Sequence, residues 1–203
     1  MALHDASPAA GSAASPARER MPRIAPEHMT EAQKKVAAAI AAGPRGELRG
    51  PFIALLRSPG LADPIQQVGE YLRYRCPLDR RVAEMATLIA ARHWSQQYEW
   101  NSHHAHAMKA GLGPAIAEAI AEGRRPAGMA EDEEIVYELL TEVLHNKSAC
   151  DTTYARALAK FGEQGVVDLV AIAGYYSMLA MILNVARTAI PGGKPPPLAP
   201  FPD

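Results

Sequence analysis

The amino-acid sequence predicts an all-α protein, and three observations support this. Apolar residues recur at helical spacing, most clearly where Val82, Met85, Leu88 and Ile89 fall within one helix. Residues that start and stop helices bound most of the apolar segments. No segment of useful length alternates polar and apolar residues with the period of two that a half-buried strand requires.

The first helices are predicted from the signals at their ends. Thr30 is a candidate N-cap, Gln33 would complete a capping box with it, and Gly43 ends that helix. Glycines and prolines then divide the chain into a loop, a short apolar turn over residues 52–56 and a helix that begins near Asp63.

The remaining helices follow in close succession. A helix within residues 77–94 carries the apolar positions described above, and the next runs from near Gln97 to a C-cap at Gly111. Acidic residues in the first turn and His145 near the end predict a helix over residues 130–147, because the helix dipole favours that arrangement. Three more helices are predicted, over residues 113–123, over residues 151–162 with Asp151 as N-cap, and over residues 166–190.

The composition indicates one globular domain with two tails. The chain has 203 residues, of which 48% are hydrophobic and 21% charged. We predict a single helical domain over residues 26–190, a disordered Ala-, Ser- and Pro-rich tail over residues 1–25, and a Pro-rich tail over residues 191–203. The formal net charge of −1 gives no electrostatic basis for binding nucleic acid or an anionic membrane.

Cysteine usage predicts a cytoplasmic location. Cys76 and Cys150 lie outside any CxxC or metal-ligand spacing, and no secretory leader pattern opens the chain. The apolar segment over residues 166–190 contains Asp168 and Asn184, so we interpret it as a core and subunit-interface helix rather than a membrane span.

A histidine cluster marks the helix that begins near Gln97. Glu99, His103 and His106 stand at positions i, i+4 and i+7, so their side chains share one helix face. His104 is rotated away from that face by about 100°. One carboxylate and two imidazoles on a common face are compatible with three kinds of site.

The three readings differ in chemistry. The cluster could supply three ligands to a metal, with the fourth coming from elsewhere. It could perform acid–base chemistry, because histidine titrates near neutral pH and a carboxylate one turn away can hold its tautomer. It could also be a hydrogen-bonded polar stripe where two helices or two subunits meet.

Residues 84–112 resemble the core motif of the carboxymuconolactone decarboxylase family, which includes the AhpD-like alkylhydroperoxidases. The resemblance extends over residues 50–125 and continues more loosely through residues 162–176. It implies an AhpD-like helical bundle that assembles as a homotrimer or homohexamer.

The peroxidase branch of that family has a pattern of Glu, CxxC, His and Gly. Aligned without a gap, the Glu, His and Gly of that pattern fall on Glu84, His103 and Gly111. The two cysteines fall on Gln96 and Glu99, so both sulfurs are missing. Thiol chemistry requires the sulfur atoms themselves, so the resemblance favours the branch without the cysteine pair.

This resemblance implies a cofactor-free lyase acting on a small carboxylated lactone or an aromatic-degradation intermediate. His103 would move the proton at the carbon that loses CO2, Glu99 or Glu84 would orient His103 and tune its pKa, and His106 would support them. The proposed lyase is not expected to bind a metal at this site.

Four further residues are predicted to bind the substrate. Tyr98 and Trp94 would form pocket wall, and Arg57 or Arg81 would hold a substrate carboxylate. The sequence is also compatible with two other functions. One is an AhpD-like antioxidant of the alkylhydroperoxidase or peroxiredoxin type, and the other is a non-catalytic relative that binds a small molecule.

Overall fold

The computed structural model describes residues 18–200, and within that range it contains helices and no strand. The all-α prediction is therefore confirmed. Most of the N-terminal tail predicted over residues 1–25 lies outside the described residues, as do the last three residues of the C-terminal tail. The α-helices are α1 (Glu31–Ala42), α2 (Pro51–Leu55), α3 (Pro59–Glu70), α4 (Arg80–His93), α5 (Gln97–Lys109), α6 (Pro114–Ala121), α7 (Glu131–Asn146) and α8 (Asp151–Ala186).

Helix α4 is the centre of the fold. Every residue from 82 to 92 is buried, and α5, α6, α7 and α8 all pack against this helix. Asp79 begins it by accepting a hydrogen bond from the backbone N–H of Arg81. A helix that is buried on all sides must satisfy every polar group that it carries, and α4 carries Glu84.

Helix α8 is long because the two helices predicted over residues 151–162 and 166–190 are continuous in the structure. Gly162 interrupts it with a φ of 68°, a left-handed conformation that costs glycine little. By length and hydropathy alone α8 could cross a membrane, but 61% of its apolar window is buried within the protein, as expected of a core helix. The carboxylate of Asp168 is buried in α8 and accepts a hydrogen bond from the Tyr71 hydroxyl.

Several helix ends differ from the prediction. The capping box of Thr30 and Gln33 is confirmed. Helix α3 begins at Pro59 rather than near Asp63, because proline is well suited to the first turn of a helix. Cys150, not Asp151, is the N-cap of α8, and the helix ends at Ala186, before a left-handed Arg187, rather than at residue 190.

Residues 194–200 form an extended segment that packs on the helices, and we call it the C-terminal strap. Leu198 is only 2% exposed. The side-chain amide of Gln97 donates to the Leu198 carbonyl and accepts from the Leu198 N–H, both at 2.9 Å. Arg92 donates to the carbonyl of Ala199 at 2.7 Å. The strap therefore holds the start of α5 and the end of α4 together.

Candidate active site

His103 lies between two buried carboxylates. Its Nδ1 is 2.7 Å from Oε2 of Glu84 on α4, and its Nε2 is 3.4 Å from Oε2 of Glu99, one turn earlier on α5. The three side chains are at most 4% exposed. Arg80, one turn before Glu84, binds the other oxygen of that carboxylate. The structure thus brings Glu84, Glu99 and His103 together.

The short connection between α4 and α5 sets this arrangement. Ser95 has a φ of 46°, and Gln96 then caps α5 by accepting hydrogen bonds from the N–H groups of Tyr98 and Glu99. The amide nitrogen of Gln96 also donates to Asn184 on α8 at 3.0 Å. Gln96 therefore has a structural role at the position where a peroxidase would carry a cysteine.

The pKa values of the two carboxyl groups are shifted in opposite directions. Burial acts to raise the pKa of Glu84, but the hydrogen bond and charge of His103, together with the charge of Arg80, lower this pKa below its usual value. Burial raises the pKa of Glu99, and the nearby charges of His103 and Arg73 offset this only in part. Glu84 is therefore the more acidic group of the pair, and Glu99 is the carboxyl group that keeps its proton to higher pH.

A cavity of about 40 Å³ opens beside this cluster. Glu99 and His103 reach its wall, whereas Glu84 lies behind His103. The Tyr176 ring packs edge-on against His103, with ring centroids 4.8 Å apart. The other lining residues come from the α1–α2 loop and α2 (Arg45, Glu47, Arg49, Gly50, Pro51, Phe52), the turn after α3 (Arg73), α5 (Tyr98, Ser102) and α8 (Tyr175, Leu179).

Two arginines make one wall of the cavity cationic. Arg45 stacks over the Phe52 ring at 4.4 Å and donates to the Tyr175 hydroxyl at 3.3 Å. Arg73 lies in the single π-helical turn Tyr71–Arg75, a form of helix that often occurs at functional sites. The Nε atoms of Arg45 and Arg73 are buried and have no hydrogen-bond partner within residues 18–200. This wall is therefore suited to receive an anion.

Two glycines leave room for the residues of the wall. A Cβ on Gly69 would overlap the Tyr175 hydroxyl and the Arg45 guanidinium. Gly50 has a φ of 57°, and a Cβ there would approach Cε1 of Tyr98 to 2.9 Å. Both positions bring backbone close to a side chain that lines the cavity, so neither can accept a larger residue without displacing it.

Comparison with known proteins shows a similarity of fold. No model of a protein family matches this sequence, and no curated protein matches it. The structure is similar to the crystal structure of a protein of unknown function from Agrobacterium tumefaciens, described as a candidate antioxidant defence protein AhpD. The two share 16% sequence identity with a TM-score of 0.60, over 68% of this chain and 94% of the other. The chain has an AhpD-like fold. At this identity the likeness is one of fold alone.

This AhpD-like fold carries no cysteine at its buried histidine. Gln96 and Glu99 occupy the two positions where the peroxidase pattern has sulfur. Cys76 lies in the turn before α4 and is half-buried, while Cys150 is exposed at the start of α8. Neither cysteine lines the cavity. The site can therefore transfer protons but has no thiolate of its own.

Tyr98 is the one predicted substrate-binding residue that reaches the cavity. His106, predicted as a supporting residue, stands one turn beyond His103, with ring centroids 5.9 Å apart. Burial lowers the pKa of His106, which favours its neutral form.

The other three predicted substrate-binding residues lie elsewhere. Trp94 packs edge-on against His93 at the end of α4. Arg57 is exposed and donates to the carbonyls of Ile53 and Pro22. Arg81 forms ion pairs with Asp132 and Glu133 on α7. These three residues therefore do not line the cavity beside His103.

The arginines that do line the cavity were missed because they lie outside the histidine motif. Arg45 is in the α1–α2 loop and Arg73 is in the π turn, and neither location carries a recognisable spacing relative to His103. The only feature of the sequence near this wall that stands out is the pair of tyrosines, Tyr175 and Tyr176, which follows Gly174. Within residues 18–200, no group of three or more His, Cys, Asp or Glu side chains is arranged to hold a metal ion.

Proposed function

We propose that this protein is a cofactor-free lyase that decarboxylates a small carboxylated substrate, such as a lactone or an aromatic-degradation intermediate, by proton transfer at His103. One observation carries the proposal: a single buried histidine stands between two carboxylates whose pKa values are shifted in opposite directions. Such a separation of pKa values is how neighbouring acids in an active site acquire different roles.

Each of the three residues has a distinct task in this proposal. Glu84 stays ionised and accepts the Nδ1–H of His103, which fixes the tautomer and leaves the Nε2 lone pair towards Glu99 and the cavity. Glu99 stores the proton that His103 Nε2 delivers or receives. The 3.4 Å separation of Nε2 and the Glu99 oxygen is longer than a good hydrogen bond and would shorten when substrate is bound.

The proposed reaction breaks one carbon–carbon bond. The bond from the substrate carbon to its carboxylate cleaves, CO2 leaves, and the electron pair stays on that carbon, delocalised into a conjugated carbonyl. The protonated pair of His103 and Glu99 then delivers one proton to the carbon. Solvent restores that proton, so the net change is loss of CO2 and gain of one proton.

The cationic wall would stabilise the charge that develops. Arg45 and Arg73 present buried guanidinium N–H groups beside the cavity, and such groups are worth most where water is excluded. The cavity of about 40 Å³ has room for one or two water molecules, at about 30 Å³ each. Substrate entry therefore requires the wall formed by Tyr98 and the α1–α2 loop to move outward.

An antioxidant function is the second candidate, and the name of the Agrobacterium tumefaciens protein of the same fold favours it. Against it stands the lack of a cysteine beside His103, since hydroperoxide reduction by this kind of site needs a thiolate. A non-catalytic relative that binds a small carboxylate through Arg45 and Arg73 is the third candidate.

The predicted homotrimer or homohexamer is also a proposal. Val167, Val170, Met181 and Val185 are each at least 38% exposed and follow one face of α8 at helical spacing. A second subunit would remove this apolar stripe from water. Light scattering of the wild type and of Val167→Glu tests this, and a monomeric wild type would overturn it.

The test of function is turnover of a panel of carboxylated lactones and ring-derived acids in D2O. We expect one deuteron at the decarboxylated carbon for each CO2 released, abolished in His103→Gln and retained in His104→Gln. His104 is the matched control because its ring stacks on Trp100, outside the cavity. Turnover that survives His103→Gln would overturn the mechanism. Hydroperoxide reduction that is lost on alkylation of Cys76 and Cys150 would favour the antioxidant candidate instead.

A further inference from the structure

A second cavity, of about 230 Å³, lies between α4, α6 and α7. It is near the C-terminal end of α4, whereas Glu84 is in the second turn of that helix. None of the residues that line the proposed active site takes part in it. At about 30 Å³ per water molecule, the space holds roughly eight waters, which is enough for a ligand of similar heavy-atom count.

The floor of this cavity is apolar. Ile89 on α4 and Ile120 on α6 are at most 7% exposed and form its base. Tyr137 on α7 forms a side wall, and Arg125 lies over its ring at 5.6 Å. Such a floor is suited to a planar or branched hydrocarbon group, because burying that group removes apolar surface from water.

The rim of the cavity is basic and carries a histidine pair. His93 and His145 meet edge-to-face with ring centroids 5.0 Å apart. Nδ1 of His145 donates to the Thr141 carbonyl at 3.0 Å, which leaves its Nε2 for a further partner. Arg92 and Arg124 complete the rim.

The ionisable side chains at the rim are all of basic residues. None of the residues that line this cavity within the described chain is acidic. The Arg124 side chain is half-exposed and pairs outside the cavity with Glu122. Arg92 is 4% exposed, and its Nη1 donates to the Ala199 carbonyl. A carboxylate at the rim would meet guanidinium and imidazole donors, and at Arg124 it would compete with Glu122.

We propose that this cavity is a second ligand site, which binds a small monocarboxylate with an apolar body. The apolar body would lie on Ile89, Ile120 and Tyr137, and the carboxylate would face Arg124 and the pair of His93 and His145. The site is independent of the proposed decarboxylase activity, because it shares no lining residue with the His103 cavity.

The test uses benzoate as probe and benzamide as its neutral isostere, with binding measured by calorimetry. We expect benzoate to bind the wild type and benzamide to bind at least about tenfold more weakly, since one charge-assisted hydrogen bond is worth that much. Arg124→Gln should weaken benzoate about three- to tenfold. Arg75→Gln, which alters another exposed arginine paired with a single glutamate, should leave binding unchanged.

The histidine signals in NMR spectra locate the bound probe. Benzoate should shift the ring signals of His93 and His145 and leave that of His103 in place. Equal binding of benzoate and benzamide would overturn the proposal, and so would no binding of benzoate at millimolar concentration. A shift of His103 alone would place the probe in the other cavity and would equally overturn it.

Discussion

Nδ1 of His103 lies 2.7 Å from Oε2 of Glu84, and the helices that carry these two residues are joined by residues 94–96 alone. The contact is buried, and Arg80 binds the second oxygen of the same carboxylate. Glu84 therefore satisfies two donors at once, although its own side chain is only 2% exposed. Its removal would leave both donors without an anion.

Glu84→Gln should lower the free energy of unfolding at pH 7 by about 3 kcal/mol, as expected when one partner of a buried ion pair is lost. Because the folded-state pKa of Glu84 is lowered, its stabilisation is present above the unfolded pKa of about 4.3 and is lost as the pH falls through the folded value. The deficit of the variant should therefore shrink in acid. Urea denaturation at pH 7 and below pH 4 (about the unfolded value) measures it.

The control for this experiment is Glu118→Gln, an exposed position on α6. It should change the free energy of unfolding by no more than about 0.5 kcal/mol at either pH. A Glu84→Gln protein as stable as the wild type at pH 7 would contradict the role assigned to this carboxylate.

Glu99→Gln should show the opposite dependence on pH. Burial raises the folded-state pKa of Glu99, so the wild type loses stability as the pH rises from the unfolded pKa through the folded one. Glutamine has no such titration. The melting temperature of the variant relative to wild type should therefore increase from acid towards neutral pH. Thermal unfolding across that range checks this, and a constant difference would show that Glu99 ionises as it does in the unfolded chain.

Gly69→Ala should destabilise the protein by about 2 kcal/mol, because the new methyl group overlaps the Tyr175 hydroxyl and Arg45. Gly60→Ala is the matched control in the same helix, since a Cβ there has no neighbour within 4 Å among the described residues. Chemical denaturation compares the two. In a Tyr175→Phe background the cost of Gly69→Ala should decrease, and an unchanged cost would argue against the hydroxyl as the obstacle.

Gln97→Ala should release the C-terminal strap. The substitution removes both hydrogen bonds to the backbone of Leu198, each worth about 1 kcal/mol. We expect faster proteolysis within residues 194–200 and a loss of about 1–2 kcal/mol in the free energy of unfolding. Lys109→Ala, at an exposed position on the same helix, serves as control. Equal rates of proteolysis in the two variants would contradict this role of Gln97.

The helical frame and the centre of the site could be predicted from sequence because both depend on local spacing. The i, i+4 relation of Glu99 and His103 needs only a helix, and the structure provides it. Glu84 was added by the resemblance of residues 84–112 to the family motif, and it agrees with the need of a carboxylate among buried apolar residues for a partner such as His103.

The substrate wall could not be predicted because it depends on how distant segments meet. Arg45 reaches Tyr175 across 130 residues of sequence, and no periodicity links the two. Arg57 and Arg81 were proposed because arginine binds carboxylates well, which does not distinguish one arginine from another. Arg81 turns instead towards acidic residues of α7, which the pattern of α4 alone does not reveal.

The space that Gly69 leaves for Tyr175 and Arg45 gives a criterion for comparing other chains of this fold. Because any side chain at this position would displace the tyrosine and the arginine, the three residues should be retained or exchanged together during evolution. A relative with a larger residue here must have rebuilt the cationic wall. Its substrate is then expected to differ, even where its counterparts of Glu84 and His103 are unchanged.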